Sequence, residues 1–567
     1  MSSPSSSPSS PSSSSSSSSS SGAPSAQGVI AAVRPVRFSP ESLGRLALLP
    51  TEVYGLIADH LSTVDLASCV SVNHSFRDIW IDYLFRDMSL VEERQIELFE
   101  LSAVTTFKRH CRLTRSFVGS RFVELGAILR YSGCTSLRYL DLRLPRVEPF
   151  NTRAVLELLG AVLRTNSCLN HVACTGRLDW TAVLDLLSSS ISISSLYLNF
   201  VGAELAEAPS RSGAESSALT RKLPALKQLS LDFLPGSSSG YLVLLRECSQ
   251  LEAIRWSLVG PWDPSDQVKE ELLVLLKNVE SLAWEASEID EEELGEMLAL
   301  GTETKRVAIS APIVRSFAPV LKRAASFKSL TLDGVLGSFS SQLQLFLERA
   351  TALEELCALP LEIVENNHIG LLARNFHDKT DRAEEVLDGV DRSAWRWGCA
   401  RTLTCLEVLI ERRYPTYEDG TSTATEGQAV PLSVECRLEH AIAYEQLSQL
   451  VNLRHLKLGQ TMAPRFVGGE EERGGYQTNC LLFSMESGLS SLHGMRAIHT
   501  LDVRWIAHEI GRQELEWMHN NFPTLSVVVG ITDFPPHADR LWRRRAAAAE
   551  EWMDAHPRGV GRDLYEQ

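Results

Sequence analysis

An apolar triplet at relative positions i, i+3 and i+5 recurs along most of the chain, with polar residues between its members. Alternate apolar positions of this kind predict a short strand that sends one set of side chains into a core. Clear copies are Leu137/Leu140/Leu142, Leu169/Val172/Cys174, Ile193/Leu196/Leu198, Leu226/Leu229/Leu231, Leu251/Ile254/Trp256 and Val279/Leu282/Trp284, with starts 24 to 33 residues apart. The series continues with Phe327/Leu330/Leu332, Leu353/Leu356/Ala358, Leu403/Leu406/Val408, Leu453/Leu456/Leu458 and Ile498/Leu501/Val503. Weaker members stand at Thr304/Val307/Ile309 and Leu525/Val528. Amphipathic stretches lie between them, among them Gln267 to Val279, Ile313 to Ala324, Gln342 to Ala350 and His440 to Val451. One strand–loop–helix unit cannot hide its apolar face, whereas stacked units share a continuous core, so the pattern predicts a curved α/β solenoid with strands inside and helices outside.

The pattern changes near the N-terminus, where helical spacing replaces the triplet. Pro50 and Glu52 mark a helix start, followed by Val53, Leu56, Ile57 and Leu61. Ser62, Thr63 and Asp65 mark a second start, leading to Leu66, Cys69, Val70 and Val72; Asn73 marks a third, leading to Phe76, Ile79, Trp80, Tyr83 and Leu84. Three short helices cannot bury so many large apolar side chains within their own bundle. The surplus either covers the downstream domain or meets a partner, and periodicity leaves both open.

The residues Leu49, Pro50, Glu52, Val53, Ile57, Leu61, Asp65, Leu66, Cys69, Val70, Val72, Asn73 and Phe76 resemble the F-box motif in order and spacing. Phe76 stands where that family often has Trp. The resemblance covers roughly residues 46 to 88 and implies docking to the adaptor subunit that bridges F-box proteins to a cullin. By it, Leu49, Pro50, Val53, Ile57, Leu61 and Val70 are the candidate docking residues, some of them shared with the internal core. The downstream triplets resemble leucine-rich repeats, but without that family's asparagine ladder: Pro145, Arg177, Val201, Leu234 and Val259 occupy its position. Uneven repeats are therefore expected, together with insertions after Leu353, where the spacing widens to 45 to 50 residues. The order of Ser-rich tail, helical module and irregular repeats, with Cys480 to Leu489 and Trp517-Met518 near the end, resembles a group of fungal F-box proteins.

The expected organisation is a disordered tail over 1–28, an F-box module over 41–90, an irregular leucine-rich-repeat solenoid over 91–535 and a helical tail over 536–567. The tail is almost wholly Ser and Pro, which cannot offset the entropy of ordering, and it lacks the basic start and apolar stretch of a signal peptide. Its Ser-Pro pairs are potential phosphate acceptors on an otherwise solvated segment.

Composition narrows the function. The 567 residues carry 44% hydrophobic and 22% charged side chains, a globular balance long enough to need no disulfide staples. Eleven scattered cysteines fit a reducing compartment, cytoplasmic or nuclear. Fifty-five basic against 71 acidic residues give a net charge of -16, which disfavours nucleic acid and anionic membranes as partners and leaves protein. With a mean hydropathy of -0.05, no apolar run is long enough to span a bilayer.

Candidate chemistry is sparse. Gly236 to Gly240 fits G-x-S-x-G around Ser238, but three serines beside Pro235 suit a turn, and no His or acid is tied to it. His508-Glu509 lacks the second His of a zinc helix. Cys168, His171 and Cys174 are the one compact Cys/His cluster, and on an alternating strand His171 and Cys174 face opposite ways. Arg543 to Arg545 read equally as a nuclear address or as the basic flank of a helix. No phosphate-binding Gly loop with a following Lys appears. The expectation is a non-enzymatic chain without cofactor or metal: a substrate-recognition adaptor of an SCF-type ubiquitin ligase, its F-box holding the adaptor subunit and cullin, its repeats holding a protein target. The alternative is a repeat scaffold that docks the adaptor and assembles proteins without ubiquitin transfer. Candidate target loops are Pro209 to Lys222, Tyr417 to Val430 and Pro464 to Thr478, which are equally free to be idle insertions.

Overall fold

The computed structural model describes residues 49–90, 109–119, 133–143, 152–175, 192–199, 223, 225–235, 240–259, 265–286, 288–311, 313–333, 340–362, 396–411, 434–459, 481–504, 506, 510–531 and 540–555. They fall into two compact units, one ending at Leu84 and one beginning at Phe85.

The first unit is three helices, α1 (Thr51–Ala58), α2 (Thr63–Val72) and α3 (His74–Leu84). The second and third begin where a side chain accepts from free N–H groups, and the first begins at a proline. Pro50 precedes α1, whose first turn holds Glu52. At α2 a reciprocal capping box forms: the Asp65 N–H donates to Ser62 Oγ at 3.2 Å, and the Ser62 N–H donates to Asp65 Oδ2 at 3.2 Å. At α3 the Phe76 N–H donates to Asn73 Oδ1 at 2.9 Å. The small core is Tyr54, Ala58, Leu66 and Trp80. Tyr54 meets Trp80 edge-on, with centroids 5.6 Å apart and planes at 84°.

The second unit is built on one parallel sheet of 15 strands whose spatial order is the chain order. Its strands are β1 (Asp87–Leu90), β2 (Ser116–Gly119), β3 (Tyr139–Arg143), β4 (His171–Thr175), β5 (Ser195–Asn199), β6 (Gln228–Pro235), β7 (Ala253–Val259) and β8 (Ser281–Glu285). A separate pair, β9 (Glu288–Ile289) and β11 (Ile313–Val314), flanks β10 (Arg306–Ser310) in sequence. The sheet goes on with β12 (Ser329–Asp333), β13 (Glu355–Glu362), β14 (Cys405–Glu411), β15 (His455–Leu458), β16 (Thr500–Asp502) and β17 (Val527–Val529). Helices occupy the connections at Thr152–Thr165, Gly240–Glu247, Asp266–Leu275, Glu291–Leu300, Ser340–Arg349, Val434–Ser448 and Arg512–Asn521. An α/β chain whose large parallel sheet keeps chain order throughout is compatible with a solenoid.

Every member of the apolar triplets is buried, from Leu137, Leu140 and Leu142 through Leu525 and Val528. The connecting helices add Leu294, Met297 and Leu298, or Phe346 and Leu347, to the same core. Bulk varies between repeats: Trp256 and Trp284 cross edge to face at 5.2 Å, while Ala358 fills the matching place on β13.

A ladder of backbone bonds links the starts of the strands. Just before each strand after β1 in the large sheet, one carbonyl of the preceding repeat accepts two successive N–H groups. Arg138 O takes those of Asn170 and His171 at 3.0 and 3.1 Å, and Lys227 O takes those of Glu252 and Ala253 at 2.8 and 2.9 Å. Any residue type can supply such a bond, which frees the sequence to vary. Side chains close the remaining gaps: Arg323 donates to the carbonyls of Leu298, Gly301, Thr302 and Thr304, and Asn166 Oδ1 accepts from the Leu137 N–H at 2.9 Å.

Three expectations shift. The parallel sheet starts at Asp87, so its first strand lies inside the segment expected to be helical to residue 90. The stretch from Ile313 to Ala324 is not one helix: Ile313 and Val314 form β11, and a short helix follows only at Ala318–Lys322, with Pro319 in its first turn. β-branched residues favour the extended form, and Pro is accommodated only at a helix start. The helix expected over His440 to Val451 runs instead over Val434–Ser448. Within the expected tail, Arg540–Ala555 is helical. No helix among the described residues is long and apolar enough to cross a membrane.

Candidate functional site

On α1 to α3 the expected docking residues divide. Pro50 is exposed, and Leu49, Val53, Ile57, Leu61 and Val70 are half-buried. Leu49, Ile57, Leu61 and Val70 pack against the Tyr54–Trp80 core, so each serves the interior and shows only part of itself outside. The three most exposed apolar side chains here are not among the expected docking residues: Leu56 at 65%, Val64 at 75% and Val72 at 55%. The available signal was the face opposite the core. Leu56 lies two residues from both Tyr54 and Ala58, and Val64 lies two from Leu66, so both turn away from the buried stripe. These three large apolar side chains are left in water on one small helical unit.

The second candidate surface is the open face of the large sheet. Leu140 and Leu142 enter the core, and Tyr139, Asp141 and Arg143 therefore turn to the other face. The constant register sets corresponding residues side by side: Tyr139 beside His171, Ser195, Gln228, Ala253 and Ser281, and Asp141 beside Ala173, Tyr197, Ser230, Arg255 and Ala283. A groove of about 560 Å³ runs across these strands from β3 to β8. Tyr139, His171 and Tyr197 give it aromatic walls, while Ala173, Ala253 and Ala283 leave it deep because their side chains are short.

The charges of this face are matched at close range. Arg143 Nε donates to Asp141 Oδ2 at 3.0 Å, and Arg255 Nη2 to Glu285 Oε2 at 2.9 Å. The Tyr197 hydroxyl donates to Asp232 Oδ2, and Asn199 Nδ2 donates to the Tyr197 oxygen at 3.2 Å. Burial, with Asp232 beside it, pushes the Tyr197 hydroxyl up to about 12. Burial also raises the Asp232 carboxyl against the Tyr197 hydrogen bond and the nearby Arg255. Burial lowers His171, with Asp141 opposing it. Two oxygens have no partner: Ser230 Oγ, which belongs to the groove, and Asp232 Oδ1.

The other sequence candidates do not assemble into a site. His171 lines the groove, Cys174 is 1% exposed in the core, and Cys168 is exposed before β4, so the three do not converge. No group of His, Cys, Asp or Glu suited to a metal occurs among the described residues. Ser238, His508 and the three candidate target loops lie outside the described residues.

No family model matches the chain, and no curated protein matches it. Among solved structures it is similar to a chain in the crystal structure of the Rad7 and Elc1 complex in yeast, at 12% identity and a TM-score of 0.30, over 57% of this chain and 89% of that one.

Proposed function

We propose that the chain is a substrate-recognition adaptor of an SCF-type ubiquitin ligase. The unit α1 to α3 acts as an F-box that docks the adaptor subunit and through it a cullin, and the leucine-rich-repeat solenoid holds a protein target. The observation that carries this reading is the exposure of Leu56, Val64 and Val72 on a helical unit whose own core is already closed by Tyr54, Ala58, Leu66 and Trp80. The F-box resemblance of residues 46 to 88 names the partner such a surface would meet. In this role the chain itself breaks no bond. It holds target lysines near transferable ubiquitin and so raises their effective concentration. The free cysteines and the acidic net charge suit the cytoplasm or nucleus, where such ligases work.

The test is co-expression with the adaptor subunit, followed by capture and a search for cullin in the captured material. Leu49→Ala with Pro50→Ala should abolish capture, but Leu49 also packs on the small core. The cleaner variant is Leu56→Glu with Val64→Glu, which alters only exposed positions. Capture that survives both variants would defeat the docking reading. Capture of adaptor without cullin would instead favour a scaffold that assembles proteins without ubiquitin transfer.

A further inference from the structure

We propose that the groove across β3 to β8 takes an extended segment of a protein target and seats on His171 one neutral aromatic side chain with a polar tip, a tyrosine or a tryptophan. The proposal rests on reading the open sheet face as the target-holding surface and names what that surface selects.

The first argument is the stack. The Tyr139 and His171 rings are parallel within 4° at 4.3 Å, and they occupy neighbouring places in one row running across the strands. The next place in that row is Ser195, whose small side chain cannot continue the stack. The second face of His171 therefore looks along the row over the groove, with room for another flat ring at the spacing the strands impose.

The floor is the second argument. Ala173, Ala253 and Ala283 present methyl groups, which favour an apolar body over a hydrated one. Among them Ser230 Oγ is buried and without a hydrogen-bond partner, although it lines the groove. A phenol hydroxyl or an indole N–H arriving above the alanines would give it one.

Charge selects the occupant. Arg143 is bound to Asp141, and Arg255 to Glu285, so each arginine that lines the groove already has an opposite charge beside it. An incoming arginine would face Arg143 and Arg255, and an incoming phosphate would face Asp141 and Glu285. A neutral ring meets neither opposition.

The test uses the full chain and saturation-transfer NMR with acetyl-Gly-Ser-X-Ser-Gly-amide probes, where X is Tyr, Trp, Leu or Arg. The Tyr and Trp probes should take up saturation on their ring protons, with little on Leu or Arg. Ala173→Leu fills the floor beside His171 and should cut the Tyr signal by about fivefold or more, while Ala283→Leu, four strands away from His171, should leave it within about twofold. His171→Ala should lower the Tyr and Trp signals together, and Ser230→Val should lower them without touching the stack. Thermal melts confirm that each variant is folded. A stronger Arg signal than Tyr, equal signals for Leu and Tyr, or equal losses from Ala173→Leu and Ala283→Leu would overturn the proposal. Adaptor capture is measured on the same proteins. Intact capture with no ring selectivity removes this inference alone, whereas lost capture in the Leu56→Glu/Val64→Glu protein speaks only to the docking unit.

Discussion

Tyr139 and His171 stand 32 residues apart in sequence, yet their rings stack in parallel with centroids 4.3 Å apart. The register of β3 against β4 makes them neighbours, and it does the same for Asp141 and Ala173 one step further along. A face assembled this way reads across repeats rather than along them. Its chemistry is distributed one or two side chains per strand, and a local motif has no place in it.

The stack has a pH signature. Burial lowers His171 below the ordinary imidazole value of 6.5, with Asp141 opposing the shift. The folded state therefore holds this proton less tightly than the unfolded chain. Its neutral form adds stability that is fully present above 6.5 and is lost as pH falls from 6.5 towards the folded value. His171→Asn removes that dependence. Melting temperatures of both proteins between pH 7.5 and pH 5, about the range in which imidazole titrates, should show the wild type losing more than the variant. A constant difference across the range would contradict the assignment.

Asp232 should behave in the opposite sense. It is 8% exposed, its Oδ2 accepts from Tyr197, its Oδ1 has no partner, and burial raises its pKa. The folded state binds this proton more tightly than the unfolded chain, so the ionised carboxylate costs stability at neutral pH. Asp232→Asn keeps an acceptor for the Tyr197 hydroxyl and discards the desolvated charge. It should leave the melting temperature at pH 7 unchanged or higher. Asp232→Ala strands the Tyr197 hydroxyl and should cost about 1 kcal/mol. A destabilised Asn variant, measured by thermal melting, would show that Arg255 gains more from the charge than burial takes away.

Strands β3 to β8, β10 and β12 to β17 were legible in the sequence because a strand core demands alternation, and alternation survives large changes in side-chain size. Ala358 and Trp256 occupy the same place in their repeats and both read as apolar. The helix starts at Ser62 and Asn73 were legible because capping is local chemistry within four residues, and the one at Pro50 because a proline with a fixed φ suits a helix start. The groove was not, since Tyr139, His171 and Ser230 meet only through register and their residue types carry no signal singly. Leu56 and Val64 were hidden for another reason. Sequence marks an apolar residue without saying whether its own unit has room for it. The carbonyl ladder before the strands leaves no trace at all, because it is made by backbone alone.

The cysteines should separate by reactivity. Burial pushes the thiols of Cys134, Cys174, Cys248 and Cys399 up to about 12, so they remain protonated small hydrophobes at neutral pH. Cys168 is exposed. Brief alkylation of the native protein at neutral pH, followed by peptide mass spectrometry, should label Cys168 and spare these four. All four should label once the chain is unfolded. Native labelling of Cys174 would mean that the core beneath β4 opens far more readily than its packing implies.

The C-terminal strands turn on two glycines that press on one residue. Gly459 follows β15 with φ +100°, and a β-carbon there would lie 2.6 Å from the Arg504 carbonyl oxygen. Gly530 follows β17 with φ +91°, and a β-carbon there would lie 2.6 Å from the Arg504 nitrogen. Arg504 cannot retreat from either side, because its N–H and guanidinium are both held by Asp502, at 3.0 and 2.7 Å. Gly530→Ala therefore meets a left-handed backbone and a backbone collision together, and should cost about 2 kcal/mol or more. Since a long repeat array need not unfold in one step, the fitting measurement is local: hydrogen exchange over β15 to β17 should accelerate while β6 to β8 stay protected. Uniform acceleration through both regions would instead show that the sheet opens as one cooperative body, with the Arg504 clamp governing strands far from it.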